Sequence, residues 1–396
     1  MIKILVVTVP YEKTSAGGAA KSFLNIFNGL KENKEFQLKI LALNTNKLIK
    51  KFLNPLGLGY FVFIPKILRK INKFKPDVII TQSRITFPAI ASANIKKIPI
   101  ISIIRDTSDV CPKLVDIIGY GEACPGLKNK KTCNNCINYW RSLRVLIGNK
   151  AQGWQYSLSS DISTIIYKFR YFVCQINLFL INKATENLVA SELMKKILSN
   201  NVDSKKIKVE NITPIKNYSP LESSEKKNQL LFVIPTFNAS YKGLDFVLKL
   251  SRFVPKDYKI VVVGSKIPTA KLEKVNNKII NYDQISRRDL NKLYQSSQLT
   301  LVPTFCTEAF GRIIIESFVN KTPVISSPNC GANSFFIEKD FLKVVPLKLS
   351  LWIKAINDMI IRSHKITDKD IKEIFSQFSI EKSKDEFSNL IKQILF

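Results

Sequence analysis

Short apolar runs alternate along the chain with stretches in which apolar residues recur every three to four positions. IKILVVTV (2–9), FQLKILAL (36–43), DVIITQ (77–82) and IPIISIIRD (98–106) have the length and β-branched content of buried strands. The intervening segments, AAKSFLNIFNGL among them, carry the spacing of amphipathic helices. ENLVASELMKKIL (186–198) and KIKVENITPI (206–215) predict a last helix and strand of a first domain. A polar, turn-rich segment, NYSPLESSEKKNQ (217–229), follows, and the pattern then restarts with LLFVIPTF (230–237) and KIVVVGSK (259–266). Continuous apolar strands separated by helices predict an α/β protein built on doubly wound parallel sheets. Such sheets bind ligands at the carboxyl ends of their strands.

At 396 residues the chain suits two domains of roughly 200 residues each. The expected boundaries are 1–216, a linker at 217–229, a second domain at 230–378, and a final segment at 379–396. No apolar run reaches the roughly 18 residues of a membrane span, and MIKILVVTV reads as a first strand rather than a signal peptide. A cytoplasmic location is the expectation.

Lys and Arg number 61 against 31 Asp and Glu, a formal net charge of +30 that favours anionic partners. The candidates are a membrane surface, nucleotide sugars and nucleic acid, although no recognisable nucleic-acid-binding motif is present. The single histidine, His364, lies in a polar stretch and is expected at the surface, which argues against Ser-His-Asp catalysis and histidine-rich metal chemistry.

The most informative stretch is LTLVPTFCTEAFGRIIIESFVNKTPVISSPNCGANSF (299–335). It predicts strand, polar loop, helix and strand. Glu308 and Glu316 are eight residues apart, so with the first in the loop and the second on the helix both carboxylates can face one ligand. Helix-start amides at residues 309–312 form an anion site, most simply for phosphate. A carboxylate beside phosphate is suited to hydroxyls, as a sugar or ribose supplies. Spacing alone is more commonly that of two solvated glutamates.

Other candidates carry two readings each. Gly17-Gly18 after the first strand is either a tight turn or a place where backbone approaches a ligand. Lys242-Gly243 is either a surface turn or an ammonium group aimed at a diphosphate. Cys111, Cys124, Cys133 and Cys136 fall within 26 residues of an insertion at about 105–140, as a structural zinc site or as free thiols. The stretch 47–75 has eight basic residues, no acidic ones and several aromatics, and 167–183 has similar character. Each is an anionic membrane-interface segment or an ordinary surface helix.

TEAFGRIIIES followed by NKTPVI and a glycine-containing loop resembles the E-x7-E signature of the retaining glycosyltransferase family 4. The resemblance implies the GT-B fold, two Rossmann-like domains facing across a cleft, with the tail FSIEKSKDEFSNLIKQILF (378–396) crossing back to the first domain. It implies a nucleotide-sugar donor, UDP- or GDP-linked, and a glycan or polyprenyl-linked acceptor of cell-surface polysaccharide synthesis, with peripheral attachment to the inner membrane face. Catalysis falls to Glu308 and Lys242, and donor binding to Gly17, Gly18, Lys242, Gly264, Ala309, Phe310, Gly311, Arg312 and Glu316. Arg105 and Asp106 lie on the acceptor side, and a subset of the family shares a four-cysteine insertion like this one.

Two departures matter. Thr236 stands where the family usually has an arginine, and Arg105 where it commonly has a histidine. No D-x-D metal motif is evident, so catalysis without a metal cofactor is expected, the leaving diphosphate being offset by Lys242, Arg312 and helix amides. Two alternatives remain: a nucleic-acid-modifying glucosyltransferase of the same architecture, and a catalytically weak sugar-nucleotide-binding protein.

Overall fold

The computed structural model describes residues 1–10, 18–45, 53, 56, 58–107, 110–111, 127, 129–136, 160–215, 225–234, 242–264, 266–267, 269–275, 279–362 and 364–396. These form two compact units. One comprises the described residues up to Ile215 together with Phe378–Phe396, and the other the described residues of Lys216–Gln377.

The first unit is built on a six-stranded sheet of β1 (Ile2–Thr8), β2 (Phe36–Ala42), β3 (Val78–Gln82), β4 (Ile100–Ile104), β5 (Glu186–Val189) and β6 (Ile207–Val209). The order is β2-β1-β3-β4-β5-β6 and every pairing is parallel. All residues of β3 and β4 are buried, as expected where helices cover both faces. Its helices are α1 (Gly18–Glu32), α2 (Ile64–Phe74), α3 (Thr86–Ile95), α4 (Ser160–Lys183) and α5 (Glu192–Ser199). Leu5, Val7 and Ile79 of the sheet join Ile67 and Ile71 of α2 and Ala89, Ile90 and Ala93 of α3 in one core.

One expected helix begins as a strand. Residues 186–189 pair with β4 and β6, and the helix starts only after Ser191, whose hydroxyl accepts from Met194 N–H as the N-cap. The polar Asn187 is tolerated at the centre of β5 because Ser102 donates to its carboxamide oxygen at 2.5 Å and its amide reaches the Ile181 carbonyl at 3.1 Å.

The second unit repeats the plan with β7 (Lys227–Val233), β8 (Lys259–Val263), β9 (Ile279–Tyr282), β10 (Ser297–Val302), β11 (Val324–Ser326) and β12 (Leu342–Val344). The all-parallel order is β12-β11-β10-β7-β8-β9. β7 takes in the last three residues of the expected linker. Helices α6 (Leu244–Leu250), α7 (Arg287–Ser296), α8 (Arg312–Val319), α9 (Leu349–Arg362) and α10 (Asp368–Phe378) complete it. Leu230 and Phe232 point to a core with Val247, Trp352 and Ile356, whereas Leu231 points to the opposite face with Val261 and Tyr294. That alternation is the two-residue period of a strand covered on both sides.

Helix α11 (Ile380–Leu395) returns to the first unit, as the family resemblance implies. It packs on α1, burying Phe387, Leu390 and Ile391, each side chain contributing roughly 1.5–3 kcal/mol of burial. Ser379 caps it, Ser383 donates to the Asn211 carbonyl, and Lys392 and Lys384 pair with Glu35 at 2.8 Å and Glu32 at 3.3 Å. The expected α/β class, with two Rossmann-like sheets, is what the structure shows.

Candidate functional site

The central strand β10 ends at Val302, and residues 303–311 run over the carboxyl edge of the second sheet before α8 begins. This loop is stitched to residues 327–333. Glu308 N–H donates to the Asn329 carbonyl at 2.8 Å and Gly331 N–H to the Glu308 carbonyl at 2.9 Å. Ser327 and Asn329 side chains donate to the Thr304 carbonyl at 2.8 and 3.0 Å. The two side-chain bonds to Thr304 are buried, which anchors the loop.

Helix α8 starts at Arg312, with Gly311 as N-cap at φ +90°. Residues 309 and 310 therefore precede the helix, one turn later than the sequence suggests, because the left-handed N-cap breaks the run. Phe310 turns into the core against Phe335, ring centroids 6.0 Å apart. Ile314 N–H bonds back to the Gly311 carbonyl at 3.0 Å.

Lys242 reaches the same place from the loop before α6. Gly243, at φ +95°, packs so closely that a Cβ there would lie 2.2 Å from the Pro303 carbonyl oxygen. This approach sets Lys242 beside the loop, where its ammonium group pairs with Glu308 Oε2. Two of the sequence-predicted residues are thus in direct contact.

Glu316 is buried on α8 and belongs to a second ionic cluster. Its Oε1 lies 2.9 Å from Arg287 NH1 and 3.6 Å from Arg312 NH2, and its Oε2 3.5 Å from the Tyr294 hydroxyl. Arg312, one turn earlier on the same helix, thus shares its charge with Glu316. Arg287 and Tyr294 are absent from the sequence-based expectation. Cys330 also stands close: burial pushes its thiol up to about 12, so it is a neutral packing group beside Gly311 and Glu308.

Gly264 ends β8 at φ +96°, where a Cβ would meet the Ile234 carbonyl oxygen at 2.1 Å. Its N–H already donates to the Tyr282 and Asp283 carbonyls at 3.1 and 3.2 Å, which gives it a structural job at this turn.

In the first unit, Arg105 and Asp106 follow β4 at the carboxyl edge of the sheet. Arg105 Nε donates to Gln82 Oε1 and NH1 to the Ile212 carbonyl, both at 2.7 Å, tying the ends of β3 and β4 to the segment after β6. Gly18 is the first residue of α1, while Gly17, Cys124 and Thr236 lie outside the described residues. Cys111 is buried and Cys133 and Cys136 are half-buried; among the described residues no three or more His, Cys, Asp or Glu side chains form a group able to hold a metal ion. His364 is mostly covered rather than solvated, 3.3 Å from Asp340.

Stretch 47–75 and stretch 167–183 now part company. Described residues 64–74 form α2, which buries Ile67 and Ile71 and leaves Pro65, Lys66, Arg69, Asn72 and Lys73 exposed. α4 instead leaves aromatic side chains exposed. Among the described residues no helix is long and apolar enough to cross a membrane.

Two parallel six-stranded sheets with ionic side chains at the carboxyl edge of the second define a protein of the GT-B fold. Residues 216–375 match the family described as Glycosyl transferases group 1. No curated protein matches the chain. Solved structures similar over the full length include sucrose-phosphate synthase from Thermosynechococcus elongatus, with 12% identity, 100% of this chain and 99% of that chain covered, and a TM-score of 0.66. Anabaena Alr3699/HepE in complex with UDP is 13% identical over 99% of this chain and 100% of that chain, with a TM-score of 0.63. A glycosyltransferase from Rickettsia africae ESF-5 is 16% identical over 100% and 99%, with a TM-score of 0.64. At such identities the likeness is one of fold, and the group 1 match lies within the unit that holds the Lys242–Glu308 pair.

Proposed function

We propose that the chain is a retaining glycosyltransferase that moves a sugar from a nucleoside-diphosphate sugar to a hydroxyl of a glycan or polyprenyl-linked acceptor, in cell-surface polysaccharide synthesis. The observation that carries this reading is the Lys242–Glu308 ion pair held at the carboxyl edge of the group 1 unit, beside the Gly311 start of α8. A carboxylate and an ammonium group fixed side by side suit a ligand with both hydroxyls and phosphates.

Glu308 accepts from the donor sugar's hydroxyls and stabilises positive charge at the anomeric carbon. Lys242, Arg312 and the first amides of α8 face the diphosphate, and Glu316 takes the ribose hydroxyls. The acceptor oxygen bonds to the anomeric carbon on the face from which the diphosphate departs, the bond from that carbon to the phosphate oxygen breaks, and the acceptor proton passes to a phosphate oxygen. Cationic side chains offset the charge that develops on the leaving group, so a divalent metal is not required.

HepE has been captured with UDP and with UDP-glucose, which makes UDP-sugars the first donors to try and GDP-sugars the second. Arg105 and Asp106 are assigned to the acceptor, and the protein to the inner face of the cell membrane. A thermal-shift screen against UDP-, GDP-, ADP- and CMP-sugars tests the donor, since a ligand of the native state raises the melting temperature. One nucleotide class stabilising the protein, with an α-linked donor giving an α-linked product by NMR, supports the proposal. Inverted product would remove the retaining mechanism, and no stabilisation by any class would remove the donor.

A further inference from the structure

The described part of α4 has two unlike faces. Val173, Cys174, Asn177, Leu178 and Ile181 are buried on the inner one. On the outer one Lys168, Phe169, Phe172, Gln175, Phe179 and Lys183 follow one another at intervals of one to four residues, which lines them up along the helix. Phe172 is 57% and Phe179 61% exposed, so more than half of each residue's surface faces solvent. From Lys168 to Lys183 the stripe is about 22 Å long.

The end of α3 extends it. Asn94 donates to the Lys183 carbonyl at 3.3 Å, which puts Ile95, 61% exposed, with Lys96 and Lys97 at the same end as Lys183 and Phe179. Lys183 Nζ lies 5.4 Å from the Phe179 ring centroid. No Asp or Glu occurs in 86–97 or 168–183. Aromatic side chains flanked at each end by lysines, with no acidic group between, match the chemistry of an interface between headgroups and acyl chains.

We propose that this face of α4, with the end of α3, docks the first unit on a bilayer surface containing anionic phospholipid. The phenylalanines enter the acyl boundary and the lysines meet the phosphates. The proposal deepens the peripheral location put forward above by naming the face that meets the membrane. It also separates α4 from α2, which has the charge without the exposed aromatic rings.

Sedimentation of the full chain with phosphatidylglycerol–phosphatidylcholine vesicles tests it, without donor or acceptor, so that failure would leave the transferase reading standing. The unaltered chain should bind these vesicles, release at high ionic strength, and ignore vesicles of phosphatidylcholine alone. Phe172→Ser/Phe179→Ser should lower the partition coefficient at least about tenfold with an unchanged melting temperature. Lys66→Glu/Lys73→Glu on α2 should lower it by much less. Equal losses from both pairs would mean diffuse charge attraction and would overturn the proposal, as would unaltered binding by the phenylalanine variant. A dimer that the phenylalanine changes dissolve, with no vesicle binding, would make the face a contact between two copies instead.

Discussion

Lys242 and Glu308 stand 66 residues apart in the chain and form an ion pair, each delivered by its own loop at the carboxyl edge of the second sheet. Without ligand the two charges satisfy each other. A donor that uses both must part them, so the pair acts as one unit. Glu308→Gln should lower kcat about 10²–10³-fold with donor KM little changed. Lys242→Ala should lower both kcat and UDP affinity at least about tenfold, because it removes the charge proposed to meet the diphosphate. If the two act together, the double variant will be little slower than the worse single one. Steady-state kinetics with UDP titrations would show this, and unaffected sugar transfer in both variants would displace the site.

Arg287 and Arg312 both address Glu316 Oε1. Arg287 comes from α7 and is the more exposed of the two, so it can turn toward an incoming phosphate alongside Arg312. We expect Arg287→Ala to raise donor KM about fivefold with kcat nearly constant, since one solvent-accessible charge contributes roughly 1 kcal/mol. Raising the ionic strength should shrink the difference. A fall in kcat with unchanged KM would place Arg287 in the chemical step instead.

The glycines separate geometry from chemistry. Gly243→Ala sets a methyl group 2.2 Å from the Pro303 carbonyl oxygen, and backbone must move. We expect a large drop in melting temperature and loss of the Lys242 contact. At Gly311 the nearest atoms, Cys330 Sγ and Glu308 Cγ, lie at 3.4 and 3.5 Å, so space is adequate and only the φ of +90° is strained. Gly311→Ala should cost roughly 1–2 kcal/mol, leaving a folded protein with weakened UDP binding. Calorimetry of both variants distinguishes the two costs.

Much of the fold is legible in the sequence because strands buried on both faces read as continuous apolar runs. ENLV escaped, since four residues before ASELMKKIL look like more of the same helix, and only pairing with β4 decides otherwise. The start of α8 was displaced for a local reason: TEAFGR looks like a helix entry, yet Gly311 adopts a left-handed conformation that delays it. The site was legible in part. The resemblance set Lys242 and Glu308 on one ligand, but that they bond to each other depends on Gly243 touching Pro303, a contact between distant segments. Arg287 was not legible. Ser286 and Asp289 mark a capped helix start, and nothing in RRDL shows that its first residue reaches across to α8.

The return of α11 to the first unit carries a pH dependence. Burial, and next the neighbouring carboxylate of Glu386 on α11, raise Glu210 from 4.5 to about 7, against the opposing pull of Lys208 and Lys382. Glu386 also accepts from Asn211 N–H at 3.3 Å, so the two acids meet where α11 is fastened. A folded-state value above the unfolded one means that the native protein binds more protons between about pH 4.5 and 7. The stabilisation is complete below that window and is lost as pH rises through it. With Glu210 only half-buried, solvent screening reduces the effect to roughly 1–2 kcal/mol. Wild-type protein should therefore lose stability between pH 5 and 8 relative to Glu210→Gln, which is close in size and adds no charge. Urea unfolding at both pH values measures the difference, and amide exchange in 380–395 shows whether it resides in α11. A Glu210→Gln variant with the same pH profile as wild type would assign the dependence to other groups.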